Sequence, residues 1–153
     1  MSRSRKVLAI ASAGGHWVQM RLLADAAFGG YDVIFVSTVP SLSESVPGHK
    51  FYAVRDVTRR NPVRALLTLA QLTRIIFRER PSVVITTGAL PGLLGLILAK
   101  TIGGARTVWI DSIANCEEMS SSGRQARRFA DRWLTQWPEL ATPGGPVYWG
   151  SLL

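Results

Sequence analysis

The feature that most constrains the fold of this chain is an abrupt change of pattern between residues 6 and 20. Lys6–Ile10 ends in four consecutive apolar residues, a stretch of small residues follows, and a helical pattern begins after Gly14-Gly15-His16. This order is typical of a buried parallel strand that passes through a tight loop into a helix. Glycines in such a loop let a ligand approach the backbone, and the first N–H groups of the helix point into it.

The same alternation of strand and helix continues along the chain. Further strands are predicted from apolar runs at residues 31–37, 50–54, 82–87 and 107–111. One helix is predicted to begin at Asn61-Pro62 and end at Arg78, and a second to follow the Gly88–Gly92 turn and end at Ile102. Residues 38–49 are predicted to form a loop. We therefore predict a single Rossmann-like α/β domain over residues 1–153, with a parallel sheet and helices on both faces.

Three predicted strands end in loops that carry candidate binding residues. These loops are Gly14-Gly15-His16, Thr87-Gly88 and Asp111-Ser112. Parallel sheets of this class bind ligands at the carboxyl ends of their strands. We therefore expect the three loops to meet at one edge of the sheet and to form a site there.

His16 is the candidate base of that site. It lies at the positive end of the first predicted helix, where a protonated imidazole is disfavoured. A neutral ring beside an anion site can accept a proton near neutral pH. The alternative is a glycine-rich turn that only joins strand to helix, with His16 at its solvated edge.

Motifs and residue counts exclude several site chemistries. The first loop lacks GxGxxG, and the chain contains neither GxxxxGK[ST] nor GxSxG, so the sequence does not support a dinucleotide fold, a phosphate-binding NTPase loop or a hydrolase elbow. With 2 His and 1 Cys, no metal site of usual spacing and no internal disulfide can be assembled. We expect no metal and no cofactor.

The charge balance favours anionic partners. The chain has 18 Lys and Arg against 10 Asp and Glu, a net charge of +8, which suits nucleic acid, anionic lipid or phosphorylated substrates. No base-reading motif is present, so we expect no nucleic-acid binding.

The start of the chain imitates a signal peptide, but cleavage after Ala11-Ser12-Ala13 would remove the first strand, so we take Met1 as the start. No apolar run reaches the ~18–20 residues of a spanning helix.

Four groups of residues, in this order, resemble a known family. They are Ser12–His16 with Gln19-Met20, Thr86–Ala89 with Pro91-Gly92, Ile110–Ala114, and Ala130-Asp131 with Gln136–Leu140. The chain is similar to the acceptor-binding, membrane-associated subunit of two-subunit UDP-GlcNAc transferases of lipid-linked oligosaccharide synthesis. It is equally similar to the bacterial capsule and exopolysaccharide relatives, some of which act in glucuronosyl transfer. The Gln136–Leu140 segment is the most specific part, whereas the wider GT-B superfamily, including MurG, shares the Gly-Gly-His loop.

The resemblance implies a fold, a reaction and a partner. The fold would be the equivalent of the N-terminal half of a GT-B glycosyltransferase, and a separate donor-binding subunit would supply the nucleotide-sugar pocket. The reaction would transfer GlcNAc or glucuronic acid from a UDP-sugar to a saccharide carried on a polyprenyl diphosphate. The alternative is a non-catalytic membrane adaptor that recruits and activates the catalytic subunit.

The resemblance also implies roles for individual residues. His16 would deprotonate the acceptor hydroxyl, and Gly14 and Gly15 would hold a phosphate with the helix N–H groups. Asp111, where the eukaryotic relatives tend to carry Glu, would orient His16 or bind a sugar hydroxyl; the alternative is that it caps the segment after it. Residues expected to shape the acceptor groove or bind the substrate are Thr87, Gly88, Gly92 and Ser112. For Gly92, the alternative is close packing near a helix start.

Two surfaces are expected to meet other molecules. Eukaryotic relatives begin with a hydrophobic anchor that this sequence lacks, so we expect peripheral attachment to the cytoplasmic face of the cell membrane. Leu66, Leu67 and Phe77, with the arginines around the 61–78 helix, would rest on anionic lipid; the alternative is a solvated outer face. The apolar and aromatic segment Pro146–Leu153 suits a subunit contact, or else forms a last strand on the core of this domain.

Overall fold

The computed structural model describes residues 5–152, so Leu153 and the first four residues of the signal-peptide-like start lie outside the described residues. The strands are β1 (Lys6–Ile10), β2 (Asp32–Ser37), β3 (Lys50–Ala53), β4 (Val83–Thr86), β5 (Arg106–Ile110), β6 (Arg132–Thr135) and β7 (Val147–Tyr148). The α-helices are α1 (Gly15–Ala27), α2 (Pro62–Glu79), α3 (Ala89–Leu98) and α4 (Ser121–Ala126).

The strands form one sheet in the order β3-β2-β1-β4-β5-β6-β7, and every neighbouring pair is parallel. The predicted α/β fold with a parallel sheet is therefore confirmed. The strand order reverses between β1 and β4, because the chain builds outward from β1 in one direction and from β4 in the other. This reversal is the switch point at which open parallel sheets bind ligands.

Helices cover both faces of the sheet. On one face, Trp17 and Met20 of α1 pack against Val7, Val33 and Phe35. The opposite face is covered by α2, α3 and α4. There, the side chains of α2 that pack on β1 and β2 are Leu72, Ile75 and Ile76. Side chains of β1 and β2 alternate between the two faces, so both strands are buried almost throughout.

The helix α2 begins where the sequence predicts and ends at Glu79, one residue after the predicted Arg78. The side chain of Asn61 accepts a hydrogen bond from the backbone N–H of Arg64 at 3.1 Å, and Pro62 occupies the first turn. At its other end Arg80 adopts a left-handed conformation, with φ 48°, immediately before Pro81. The helix α3 is shorter than predicted: it is regular to Leu98 and continues as a π turn over Ala99–Gly103.

Four short elements of the described residues lie outside the predicted set. One 3₁₀ turn, at Pro40–Ser45, interrupts the predicted loop, and another lies at Pro138–Leu140. The other two, α4 and β6, follow β5. The final segment contributes β7 as an edge strand on β6. Its residues Val147 and Trp149 are 45% and 66% exposed, so they extend the sheet without covering the core, whereas Pro146 is buried. Within residues 5–152, no helix combines the length and the apolar character needed to cross a membrane.

Candidate functional site

Three loops meet at the carboxyl edge of the sheet, beside the switch point. They enclose an open cleft of about 250 Å³. The cleft is lined by His16, Ala89, Ser112, Ala114, Asn115, Ser120, Ser121 and Ser122. The first, β4–α3 and β5–α4 loops therefore converge as the sequence predicts, and the lining is rich in hydroxyl groups.

His16 is held by a reciprocal pair of hydrogen bonds with Thr87. Its Nδ1 lies 2.9 Å from the carbonyl oxygen of Thr87, and the hydroxyl of Thr87 donates to the backbone carbonyl of His16 at 2.6 Å. A carbonyl oxygen can only accept, so Nδ1 carries a proton. In the neutral ring Nε2 is then the acceptor, and in the described part of the chain it has no hydrogen-bond donor. The imidazole therefore offers a fixed proton acceptor to the cleft.

Gly88 makes room for that imidazole. A Cβ atom at this position would lie 2.6 Å from His16 Cε1 and 2.7 Å from Nδ1, and the φ of Gly88 is 133°. Both the space and the backbone conformation therefore require glycine. The next residue, Ala89, has a φ of 67°, which is strained for a residue with a side chain. This strain lies in the wall of the cleft.

The N-terminus of α1 is open beside His16. Gly14 precedes the helix with a φ of 82°, and no side chain caps the first turn. A Cβ at Gly14 would meet no atom within 4 Å, and one at Gly15 would reach only Gln19 Nε2 at 4.0 Å. Uncapped N–H groups at a helix start can bind an anion. The predicted phosphate-binding role of Gly14 and Gly15 stays a prediction.

Asp111 is 1% exposed, and it binds its own loop. Its Oδ1 accepts from the indole of Trp109 at 3.0 Å and from the Ser120 hydroxyl at 2.6 Å. Its Oδ2 accepts from the Ser120 N–H at 2.8 Å and from Asn115 Nδ2 at 3.2 Å. Ser120 in turn caps α4. These contacts are the ones expected if Asp111 caps the segment that follows it. Within residues 5–152, no hydrogen bond joins Asp111 to His16.

Ser112 lies on the wall of the cleft and is 7% exposed. Its Oγ accepts from Gln19 Nε2 at 3.1 Å and from the N–H of Ala114 at 3.2 Å. No acceptor within residues 5–152 takes its hydroxyl proton, so that proton is available to a ligand. Among the predicted site residues that the structure describes, Ser112 and His16 are therefore the two whose side chains have a group free to bind a ligand.

Other predicted site residues lie behind the cleft. Thr87 is fully buried and supports His16. Gly92 is also buried, and a Cβ there would lie 2.0 Å from Thr86 Oγ1, so it permits close packing of α3 on β4. This contact matches the packing alternative for Gly92. Thr87, Gly88 and Gly92 thus shape the site from behind, without lining it.

Two buried glutamines, Gln19 and Gln136, contribute to the site without having been predicted as site residues. They are 4% and 3% exposed, and Gln19 lies one turn after His16 on the same helix. For Gln19, the signal in the sequence is a polar residue between Trp17 and Met20, which are apolar and buried in the same helix. Gln136 carries no such periodic signal, because it follows a strand of only four residues.

Comparison with known proteins places this geometry in context. Residues 32–152 match the family model described as "Oligosaccharide biosynthesis protein Alg14 like". This range begins at β2, after the His16 loop. The UDP-N-acetylglucosamine transferase subunit alg14 of Schizosaccharomyces pombe is 30% identical over 90% of this chain and 78% of its own length. The corresponding subunit of Eremothecium gossypii is 37% identical over 69% of this chain and 49% of its own length.

Solved structures share the fold. MurG from Acinetobacter baumannii superposes with a TM-score of 0.76 at 17% identity, over 94% of this chain and 45% of MurG. The S. aureus MnaA–UDP co-structure gives a TM-score of 0.62 at 18% identity, over 88% of this chain and 38% of MnaA. This chain thus has the fold of one half of a GT-B glycosyltransferase such as MurG. Together with the family match over residues 32–152, these observations show that the chain belongs to the family of oligosaccharide biosynthesis proteins like Alg14.

Proposed function

We propose that this chain is the acceptor-binding subunit of a two-subunit glycosyltransferase. With a donor-binding subunit, it transfers GlcNAc or glucuronic acid from a UDP-sugar to a lipid-linked saccharide. The observation that carries the proposal is the 2.9 Å contact between His16 Nδ1 and the Thr87 carbonyl oxygen, in a histidine that lines the cleft. This contact assigns the proton to Nδ1 and leaves Nε2 to accept one. The names of the relatives support it, because they are UDP-N-acetylglucosamine transferase subunits.

In the proposed reaction the acceptor hydroxyl lies against His16. Nε2 takes the hydroxyl proton while the oxygen attacks C1 of the donor sugar, and the bond between C1 and the phosphate oxygen of UDP breaks. UDP leaves with the electron pair of that bond. The positive charge that develops on the imidazole is stabilised through Nδ1–H by the Thr87 carbonyl, 2.9 Å away.

Other groups at the carboxyl edge have supporting roles in this proposal. The hydroxyl of Ser112 donates to an oxygen of the acceptor saccharide. The open N-terminus of α1, at Gly14-Gly15, holds phosphate oxygens. Asp111 positions the β5–α4 loop through its four hydrogen bonds and does not act on substrate.

The membrane side of the proposal rests on α2. One face of this helix is buried against the sheet, whereas Val63, Leu66 and Phe77 on its outer side are 66%, 66% and 59% exposed. The exposed arginines on and around the helix are Arg55, Arg59, Arg60, Arg64, Arg74, Arg78 and Arg80. Apolar side chains among arginines suit the headgroup region of an anionic bilayer, where each basic residue contributes about 1 kcal/mol. We therefore propose peripheral attachment through α2 at the cytoplasmic face of the cell membrane.

A His16→Ala variant tests the catalytic role. In the complex with the donor-binding subunit, supplied with UDP-GlcNAc or UDP-glucuronic acid, we expect kcat to fall by about 10²–10⁴-fold. His16→Gln should not restore it, because an amide does not take up the proton. His49→Ala is the matched control, since His49 packs edge-on against Phe35, away from the cleft. Transfer by His16→Ala at the wild-type rate would favour the adaptor alternative.

Vesicle binding tests the membrane surface. The double variant Leu66→Ser/Phe77→Ser should bind phosphatidylglycerol vesicles at least about tenfold more weakly than the wild type, because it removes two exposed apolar side chains. High salt should weaken wild-type binding. Val18→Ser/Leu22→Ser removes two exposed apolar residues of α1 and is the control. Equal losses in both double variants, or equal binding to uncharged phosphatidylcholine, would contradict attachment through α2.

A further inference from the structure

Two buried glutamines connect the helix that carries His16 to the loop that carries Ser112. Gln19 Nε2 donates to Ser112 Oγ at 3.1 Å, and Gln19 Oε1 accepts from the N–H of Ile113 at 3.2 Å. The same Oε1 accepts from Gln136 Nε2 at 2.6 Å. Gln136 Nε2 also donates to the backbone carbonyl of Asp111 at 2.9 Å. This glutamine pair, Gln19 and Gln136, thus binds three consecutive residues of the β5–α4 loop.

Backbone groups fix the orientation of both amides. The N–H of Ile113 can only donate, so the atom of Gln19 that faces it is the oxygen. The carbonyl of Asp111 can only accept, so the atom of Gln136 that faces it is the nitrogen. At its other end, Gln136 Oε1 accepts from the N–H of Leu152 at 3.0 Å. Rotation of either amide by a half turn would place a donor against a donor or an acceptor against an acceptor.

We propose that the glutamine pair is a positioning device, which holds Ser112 and the loop after it over the cleft at a fixed distance from His16. This inference rests on the proposed function, because the distance from Ser112 to His16 affects the reaction only if His16 is the base. His16 and Gln19 are one turn apart on α1, so the loop is fixed to the helix that carries the base. Ser112 and Asn115 of this loop line the cleft with His16, and a shift of the loop would move them relative to Nε2.

The two glutamines respond differently to the same chemical change. In Gln19→Glu, one carboxylate oxygen still accepts from Ile113 and Gln136, and the other accepts from the Ser112 hydroxyl, which can turn to donate. The loop should therefore stay in place. In Gln136→Glu, a carboxylate oxygen would face two acceptors, the Asp111 carbonyl and Gln19 Oε1, and neither can donate. The loop should therefore be displaced.

The indole of Trp137 reports the position of the loop without any substrate. Its Nε1 donates to the carbonyl of Ile113 at 2.7 Å. The chain has 5 Trp, so indole N–H signals of the ¹⁵N-labelled full chain can be followed one by one, with that of Trp137 assigned from a Trp137→Phe variant. Reference signals come from Trp17 and Trp133, whose indoles donate to Ser45 and Gly123.

The closing experiment compares three variants with the wild type and one control. We expect the Trp137 signal to move in Gln19→Met and Gln136→Glu and to keep its position in Gln19→Glu, while the reference signals stay. Gln71→Met is the control, because Gln71 also accepts a backbone N–H, from Arg55 at 2.9 Å, away from the cleft. An unmoved Trp137 signal in Gln19→Met, or the same response in both Glu variants, overturns the proposal. If Gln19→Met does not fold, the two Glu variants decide alone.

Activity gives a second measurement, in the complex with the donor-binding subunit. With a short-chain isoprenoid diphosphate that carries one GlcNAc as acceptor probe, Gln19→Met and Gln136→Glu should lower kcat/KM for the acceptor by about tenfold or more. Gln71→Met should stay within about threefold of the wild type, and KM for the UDP-sugar should not change in any variant. Gln19→Glu is used only in the Trp137 measurement, because its carboxylate would take the Ser112 hydroxyl proton that the proposed acceptor needs. A uniform loss that follows the melting temperature would show a structural role only and overturn the proposal. If the wild type transfers no sugar, the proposed function fails, whereas the Trp137 measurement still tests the glutamine pair.

Discussion

Two buried carboxylates lie at opposite edges of the sheet, and they are held in different ways. Asp111, at the carboxyl edge, is 1% exposed, and its four hydrogen-bond donors are neutral groups. Glu79, at the amino edge, is 3% exposed and accepts from Lys50 at 2.6 Å, from Lys6 at 3.3 Å and from the hydroxyl of Tyr52. One carboxylate organises a loop, and the other joins the first residues of β1 and β3 to the end of α2.

The donors explain why the two regions serve different purposes. Burial by itself would raise the pKa of Glu79, but hydrogen bonds from Lys50, Tyr52 and Lys6 lower that pKa to about 2 from its ordinary value of 4.5. The lysine donors lie on long side chains that reach water. The donors to Asp111 lie on the backbone, an indole and short side chains, which cannot move far. A charged cluster therefore stabilises one edge, whereas fixed neutral donors give the other edge a defined shape.

The largest effect is expected at Asp111. Asp111→Asn should lower the free energy of unfolding by about 4 kcal/mol, because in either orientation its NH₂ faces a donor that cannot turn away. Urea unfolding measures this loss, and Asp25→Asn, on the exposed side of α1, should change little. A loss under about 1 kcal/mol would mean that the loop does not depend on this carboxylate.

A smaller effect, dependent on pH, is expected at Glu79. Its pKa is lower in the folded protein than in the unfolded chain, so the carboxylate stabilises the fold above pH 4.5, and this contribution is lost as the pH falls towards about 2. The corresponding free energy is about 3 kcal/mol. Glu79→Gln should lower the free energy of unfolding by that amount at neutral pH. Below pH 4.5, its free energy of unfolding should fall less steeply with decreasing pH than that of the wild type, as chemical unfolding measures. Parallel pH profiles of the wild type and the variant would contradict the assignment.

The smallest effect is expected at Tyr52. Burial, followed by the hydrogen bond to the Glu79 carboxylate, raises the pKa of Tyr52. Tyr52→Phe keeps the ring and removes one of three donors, so it should cost about 1 kcal/mol. Thermal or urea unfolding measures it, and Tyr148→Phe, at the exposed sheet edge, is the matched control. A loss as large as that of Glu79→Gln would show that the lysines contribute little.

The sequence predicted the elements that carry their own pattern. The first five strands are apolar runs, and α2 begins at the expected Asn61-Pro62 cap, so their positions follow from local chemistry. The last two strands and α4 have only 4, 2 and 6 residues. Such short elements form because a neighbouring strand or the Asp111 loop is already in place, and no periodic signal marks them.

For the site, the sequence predicted which loops meet but not which side chains face the cleft. His16 and Ser112 line it, whereas Thr87 and Gly92 lie behind it. Local pattern identifies a loop as the end of a parallel strand, but the direction of each side chain depends on packing against the next loop. Gly88 shows this dependence, since its lack of a Cβ matters only because His16 packs against it.

By itself, the sequence determined the parallel α/β fold and the edge of the sheet at which the candidate site lies. These follow from local apolar patterns and from the rule that parallel strands end at one edge. Only the tertiary structure decided the tautomer of His16, the enclosure of Asp111 and the link from Gln19 to Gln136. The first and the last depend on hydrogen bonds between residues far apart in sequence, 71 positions for His16 and Thr87 and 117 for the two glutamines. The partners of the Asp111 carboxylate lie within 9 positions of it, but they surround it only when the loop is folded. Directional bonds of this kind exist only once packing has brought their partners together.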